Sequence, residues 1–487
     1  MFSKKRKPKL DKDLSAMELA MTNILILKAI FAQLPIQELK ISRAVCRLWN
    51  EVGFKELKDR VILSIGKICT FTDPLLINAK LTKYIGIRME SNRSCHEECS
   101  TGMNLIQLPP NVQQVVEEVR IQTSAEYLAA IIEYINNCAF PILDYISLKI
   151  SGCNAYRLDL TSHQNRRTAL LIKSIITQYP STLLPTFLEN CTNLEVLQFE
   201  KNTPPSLVKC SNLKFLSYSG VPVDMSVINR MLEQVGGSLV ELELRNKLFS
   251  MNQRLTRTQF NPPRMPNLTT LTVFAAELYQ LENVLSTKLL PRLKHLSLKP
   301  STGSTFAVDN FLQNLYEFHN GIESLSYEAS TQADVRQAVI LFPNVKNIEV
   351  RFSSGAATNR EMLEQYRNWD IQRAKVTFIT MISSIQEMVV FLEAMSTWRG
   401  RKTLSLFSAP VVTFEKSGID SSRTARRSFA GTFLFTEFGE MAKSAFLFCK
   451  SFQAVELFDF GTSDVVRREM EEFIAIEKLP IKFKSTS

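Results

Sequence analysis

Leu268-Thr-Thr-Leu271-Thr-Val273, Leu293-Lys-His-Leu296-Ser-Leu298, Ile322-Glu-Ser-Leu325-Ser-Tyr327 and Val345-Lys-Asn-Ile348-Glu-Val350 are four spellings of one phrase, apolar-x-x-apolar-x-apolar. Its second half alternates apolar and polar residues, the pattern of a strand with one face buried. The phrase occurs upstream as Leu143-Asp-Tyr-Ile146-Ser-Leu148, Leu194-Glu-Val-Leu197-Gln-Phe199, Leu213-Lys-Phe-Leu216-Ser-Tyr218 and Leu239-Val-Glu-Leu242-Glu-Leu244, often introduced by Pro-x or by Asn. Weaker copies centre on Val119, Val376, Leu404 and Val455. From residue 197 to residue 404 the second apolar position advances in steps of 19, 26, 29, 25, 29, 23, 28 and 28. The intervals 146 to 197 and 404 to 455 are 51 residues each, which leaves room for one eroded copy in each.

Between phrases the period changes to that of a helix. In Asp224–Val235 the residues Ile228, Met231, Leu232 and Val235 share one face, and Gly236-Gly237 follows. Ala338, Val339 and Leu341 precede Pro343 in the same way. Parallel strands need crossovers of about a dozen residues, and these steps supply them. Phrase and period together resemble a leucine-rich repeat, one strand and one helix per turn. The resemblance implies an irregular α/β solenoid with parallel strands inside and helices outside, over residues 59–487.

In such a strand the positions between the apolar ones stack into columns on the inner sheet, one rung about 4.8 Å from the next. The columns mix aromatics, hydroxyls and both charge signs. That suits a protein segment better than a polyanion. Glu243, Arg245, Phe274, His295, Lys299, Glu349 and Arg351 are the candidate target-binding residues.

At the N-terminal end, Ile26, Leu27, Ile30, Phe31 and Leu34 form one helical stripe, which Leu34-Pro35 stops. A second stripe, Ile41, Ala44, Val45, Leu48, Trp49 and Val52, ends at Gly53, which the spacing makes a C-terminal cap. A unit this small is expected to need a partner over its exposed apolar side chains. The run Ile30-Phe31-Ala-Gln-Leu34-Pro35-Ile-Gln-Glu38-Leu39, followed by Arg43-Ala44-Val45-Cys46-Arg47-Leu48-Trp49, resembles an F-box across Met21–Phe54. The family usually opens on Leu-Pro-x-Glu, where Thr22-Asn23-Ile24-Leu25 stands here. The resemblance implies a three-helix unit, residues 14–58, that docks on a Skp-family adaptor through Leu34, Pro35, Leu39, Val45, Cys46 and Trp49. Through the adaptor it would reach a cullin and a RING subunit. The layout is that of F-box/leucine-rich-repeat proteins, substrate receptors of SCF ubiquitin ligases.

Composition narrows the alternatives. Lys plus Arg number 58 against 48 Asp plus Glu, a net charge of +10. Residues 1–13 hold six bases against Asp11 and Asp13, so +4 of that surplus is local and the other +6 is spread too thinly for a nucleic-acid surface. This basic tail is expected to be disordered, and Lys4, Lys5, Arg6 and Lys7 suit nuclear import. No apolar run reaches the ~18 residues that cross a bilayer. The basic run meets Asp11, Asp13 and Glu18 rather than a signal-peptide core. Nine scattered cysteines fit a reducing compartment, cytoplasm or nucleus. No phosphate loop, nucleophile elbow or zinc-protease motif occurs, and only four histidines exist. Cys95-His96-Glu97-Glu98-Cys99 lacks the second pair a zinc knuckle needs, and reads as a polar loop. The sequence therefore points to a non-catalytic receptor without metal, cofactor, nucleic-acid or membrane partner.

Overall fold

The computed structural model describes residues 21–65, 79–89, 108–151, 160, 162–177, 184–200, 204–220, 225–246, 258–274, 279–280, 284–299, 317–329, 331–352, 356–378, 385–400, 403–408, 439–458 and 464–484. The chain forms two compact units, Met1–Phe199 and Glu200–Ser487.

The first unit opens with α1 (Ile24–Gln33), α2 (Ile36–Ser42) and α3 (Arg47–Lys58). The Asn23 side chain caps α1 by accepting from the backbone N–H groups of Leu25 and Ile26 at 2.9 and 3.4 Å. Leu34 leaves the helix with φ −73° and ψ 142°, the extended geometry that a following proline imposes. The second stripe of the sequence is not one helix: α2 ends at Ser42 and α3 begins at Arg47, so Ile41 belongs to α2 and Val45 to the connection between the helices. Gly53 does not terminate anything. It sits inside α3, where a Cβ would lie 2.8 Å from Arg43 Cγ and 3.4 Å from the Phe31 ring. Its lack of a side chain leaves room for the Arg43 side chain.

Six parallel strands follow, each paired with the next: β1 (Ile62–Ile65), β2 (Tyr84–Met89), β3 (Glu118–Ser124), β4 (Tyr145–Ser151), β5 (Ile172–Thr177) and β6 (Val196–Glu200). Helices Ala125–Asn137, His163–Leu171 and Leu184–Asn190 stand between strands. Alternation is regular: β4 buries Ile146, Leu148 and Ile150 and half-exposes the residues between. Strand β5 is the eroded copy expected between 146 and 197. The register slips between Ile146 and Ser147 as it pairs with β4, which explains its irregular spelling. Strands β1 and β2 lie upstream of every phrase recognised in the sequence.

The second unit holds ten parallel strands in one sheet among the described residues: β7 (Phe215–Gly220), β8 (Glu241–Asn246), β10 (Thr270–Phe274), β12 (His295–Lys299), β13 (Ser324–Ala329), β14 (Asn347–Phe352), β15 (Arg373–Phe378), β16 (Thr403–Ser408), β17 (Ala454–Phe458) and β18 (Ile481–Lys484). The short strands β9 (Thr258–Gln259) and β11 (Tyr279–Gln280) form a separate parallel pair. The repeat register is kept rung by rung: Leu242, Leu271, Leu296, Leu325 and Ile348 are successive partners, all buried. Each such leucine contributes about 1.5–3 kcal/mol by leaving water. Helices Met225–Val235, Gln332–Leu341, Ala356–Gln365, Ile385–Ser396, Glu440–Leu447 and Asp464–Ile476 accompany the strands. Ile228, Met231, Leu232 and Val235 are buried, the face that the helical spacing marked.

Two repeat assignments change. Ala374, not Val376, pairs with Ile348 and with Leu404, so the copy placed at 376 is centred two residues too late. In the sheet no rung stands between the copies at 404 and 455: β16 pairs directly with β17, Leu404 opposite Val455. Strand β18 follows β17 as a further, unforeseen rung.

Candidate protein-interaction surfaces

The three helices close on a core of Leu27, Phe31, Leu39, Val52 and Leu57, against which Leu34, Leu48, Trp49, Val61 and Leu81 pack in part. The Phe31 and Trp49 rings meet edge-to-face at 5.4 Å, and Trp49 Nε1–H donates to the Met21 carbonyl at 3.1 Å. The Arg60 guanidinium donates to the carbonyls of Phe31 and Leu34 at 3.0 and 2.7 Å, which satisfies the C-terminal end of α1. Lys83 pairs with Asp59 and Glu117, both at 3.2 Å. Its hydrogen bonds to Glu117, Tyr84 and Asp59 hold the ammonium well above the usual lysine range. Residues beyond 58 thus tie the helices to the first rungs of the same unit.

The six candidate adaptor contacts separate by burial. Pro35, Val45 and Cys46 are exposed, and Leu34 and Trp49 are half-buried. Leu39 has no exposed surface and belongs to the core, so its place is packing rather than contact. The sequence could not make that division, because the motif constrains contact and core positions alike. Further apolar side chains stand in solvent on the same helices: Ile24, Leu25 at 75%, Ile26, Ile30, Ile36 and Ile41 at 72%, beside Val45 at 64%.

In the second unit, Glu243, Arg245, Phe274 and Lys299 form one cluster on β8, β10 and β12. Arg245 Nη2 lies 2.8 Å from Glu243 Oε1, and Ser217 Oγ donates to the other carboxylate oxygen at 3.0 Å. The Arg245 guanidinium and the Lys299 ammonium lie 4.7 and 4.9 Å from the Phe274 ring centre, one on each neighbouring rung. His295 and Glu349 belong instead to a shallow depression of about 390 Å³ lined by side chains of β12 to β16, among them Ser324, Ser326, Asn347, Arg373 and Lys375. Arg351 stands exposed on β14, with Glu328 and Thr377 on the flanking rungs.

Arg373 and Lys375 escaped the sequence reading. Their strand carries Ala374 where neighbouring phrases carry a large aliphatic residue, so its register was not visible. Lys4, Lys5, Arg6, Lys7 and the segment from Cys95 to Cys99 lie outside the described residues. Among the described residues, no helix is long and apolar enough to cross a membrane, and no group of His, Cys, Asp and Glu could hold a metal ion.

No family model matches the chain, and no curated protein matches it. Among solved structures it is similar to a chain in the crystal structure of the Rad7 and Elc1 complex in yeast, at 14% identity and a TM-score of 0.35, over 75% of this chain and 94% of that one. At that score the likeness decides neither fold nor function.

Proposed function

We propose that the chain is the substrate-recognition subunit of an SCF-type ubiquitin ligase. In this reading α1–α3 bind a Skp-family adaptor, which brings the cullin and RING subunits, and the outward strand faces of the repeats bind the target protein. The subunit does no chemistry. It raises the effective concentration of target lysines near the charged ubiquitin, in the cytoplasm, the nucleus or both. The observation that carries the reading is the meeting of motif and exposure. The stretch from Ile24 to Lys58, which holds the motif, folds into three helices around a small core, yet keeps Leu25, Ile30, Ile36, Ile41 and Val45 in water.

A second reading is a repeat scaffold whose helices merely cap the array. The packing of Val61 and Leu81 against the helical core favours it. Co-purification of the full chain with the adaptor separates the two. The Ile41→Asp/Val45→Asp double variant sets two charges on exposed positions, where they cost the free protein little but would be unpaired in a dry interface. Adaptor capture should vanish while the melting temperature holds. Capture at the wild-type level would favour the scaffold.

A further inference from the structure

The depression across β12 to β16 has a chemistry that names an occupant. Register places His295, Ser324, Asn347, Arg373 and Thr403 in one row across five strands, with Ser297, Ser326, Glu349, Lys375 and Ser405 in the row beside it. Short side chains, Ser324, Ser326 and Asn347 with Thr403 and Ser405 at one end, stand among the longer His295, Glu349, Arg373 and Lys375. That is why a recess of about 390 Å³ remains over these rungs. At about 4.8 Å per rung, three rungs separate His295 from Arg373, a span that four to five residues of extended chain cross.

The charges in the recess are unequal. Lys375 Nζ sits 2.7 Å from Glu349 Oε1, and Ser326 Oγ donates to the other oxygen of that carboxylate at 3.4 Å, so this acid and this base answer each other. Arg373 has no such partner: among the described residues no carboxylate lies within ion-pair reach of it, and its Nε–H donates at 3.0 Å to the neutral Asn347 Oδ1. That bond fixes the guanidinium plane and leaves the two terminal nitrogens, the pair that grips a carboxylate end-on. One uncompensated positive charge, already oriented, stands beside a recess built for small side chains. A single carboxylate balances it. A phosphate dianion would place its second charge near Glu349.

We propose that this recess binds an extended, acidic segment of the target, with Arg373 anchoring one Asp or Glu carboxylate and small or polar neighbours lying over Ser324 and Ser326. The assignment rests on the receptor reading and supplies the chemistry of what is received.

The test selects phage-displayed random dodecapeptides on the full-length chain, then measures a synthetic, fluorescein-labelled copy of the dominant sequence by anisotropy. The selected pool should be enriched in Asp and Glu. Affinity should fall about tenfold or more in Arg373→Gln, and equally when the anchoring acid of the peptide becomes its amide. It should be unchanged in Arg336→Gln, an exposed helical control. A pool without acidic enrichment, affinity within threefold of wild type in Arg373→Gln, or a phosphoserine copy binding tenfold better than the acid would each overturn the proposal. Adaptor capture measured on the same preparations keeps the two readings apart. Peptide binding without adaptor capture sinks the ligase assignment alone, and adaptor capture without acidic-peptide binding sinks this one alone.

Discussion

Single residues hold the rungs in phase. Asn193, Asn267 and Asn344 each immediately precede the first apolar residue of a phrase. Their side-chain amides donate to backbone carbonyls of the preceding turn, Leu170, Gly237 and Asn320, at 3.0, 2.8 and 2.9 Å. The asparagine was visible in the sequence as an introduction to the phrase. The bond it makes to the previous turn was not, because that carbonyl lies 23 to 30 residues away. Gly400 was equally illegible. Its φ is +92°, and a Cβ there would lie 2.6 Å from both Asp370 Oδ1 and the Ile371 carbonyl oxygen. Gly400→Ala is expected to cost about 1–3 kcal/mol in urea unfolding. The buried hydroxyls of Tyr327 and Tyr366 bond each other, and burial raises both phenols above the ordinary value of 10.0. An acid raised in the folded state stabilises the fold fully below its unfolded pKa and loses that contribution as pH climbs past it. Melting temperature should therefore begin to drop above about pH 10. The drop should be shallower in Tyr327→Phe/Tyr366→Phe, with thermal melts across pH 8 to pH 11 as the readout.

At the scale of elements, periodicity found strands well where large aliphatic residues spell the phrase, and failed where one is missing. Ala374 buries as its partners Ile348 and Leu404 do, but contributes too little apolar bulk to mark its strand. The helical end failed differently. A stripe from Ile41 to Val52 fits one helix on paper, yet three helices allow Leu39 and Val52 to reach Phe31 while Ile41 and Val45 stay out. This sorting has a direct consequence. Leu39→Ala should cost about 2–5 kcal/mol by opening a cavity in that core, whereas Ile41→Ala should change stability by less than about 0.5 kcal/mol. Excision is a second check. A peptide of residues 21–58 lacks Arg60, Val61, Leu81 and the Lys83 bridge, so its circular dichroism should report less helix than residues 21–151 supply per residue of α1–α3.

At the scale of the molecule, each rung of a sheet of this kind bonds only to the next, so sequence distance along the chain matters less than adjacency in the sheet. The joint between β16 and β17 tests that separation. The step from Leu404 to Val455 is 51 residues, twice the usual one, and yet the two are direct partners. The preceding rung shows how short the connection can be: six residues, 379–384, join β15 to the helix Ile385–Ser396. Replacing residues 409–438 by six Gly and Ser residues should therefore leave Glu440–Leu447 able to reach its place, with Ala442, Ala445 and Phe446 still buried. Because loop-closure entropy grows only as the logarithm of length, the shorter connection should stabilise slightly, by about 1–2 kcal/mol at most. The readouts are the urea midpoint and the far-ultraviolet circular dichroism per residue of ordered chain. If the segment carried a repeat of its own wedged between its neighbours, its removal would strip β17 and β18 from the array and lower the midpoint sharply.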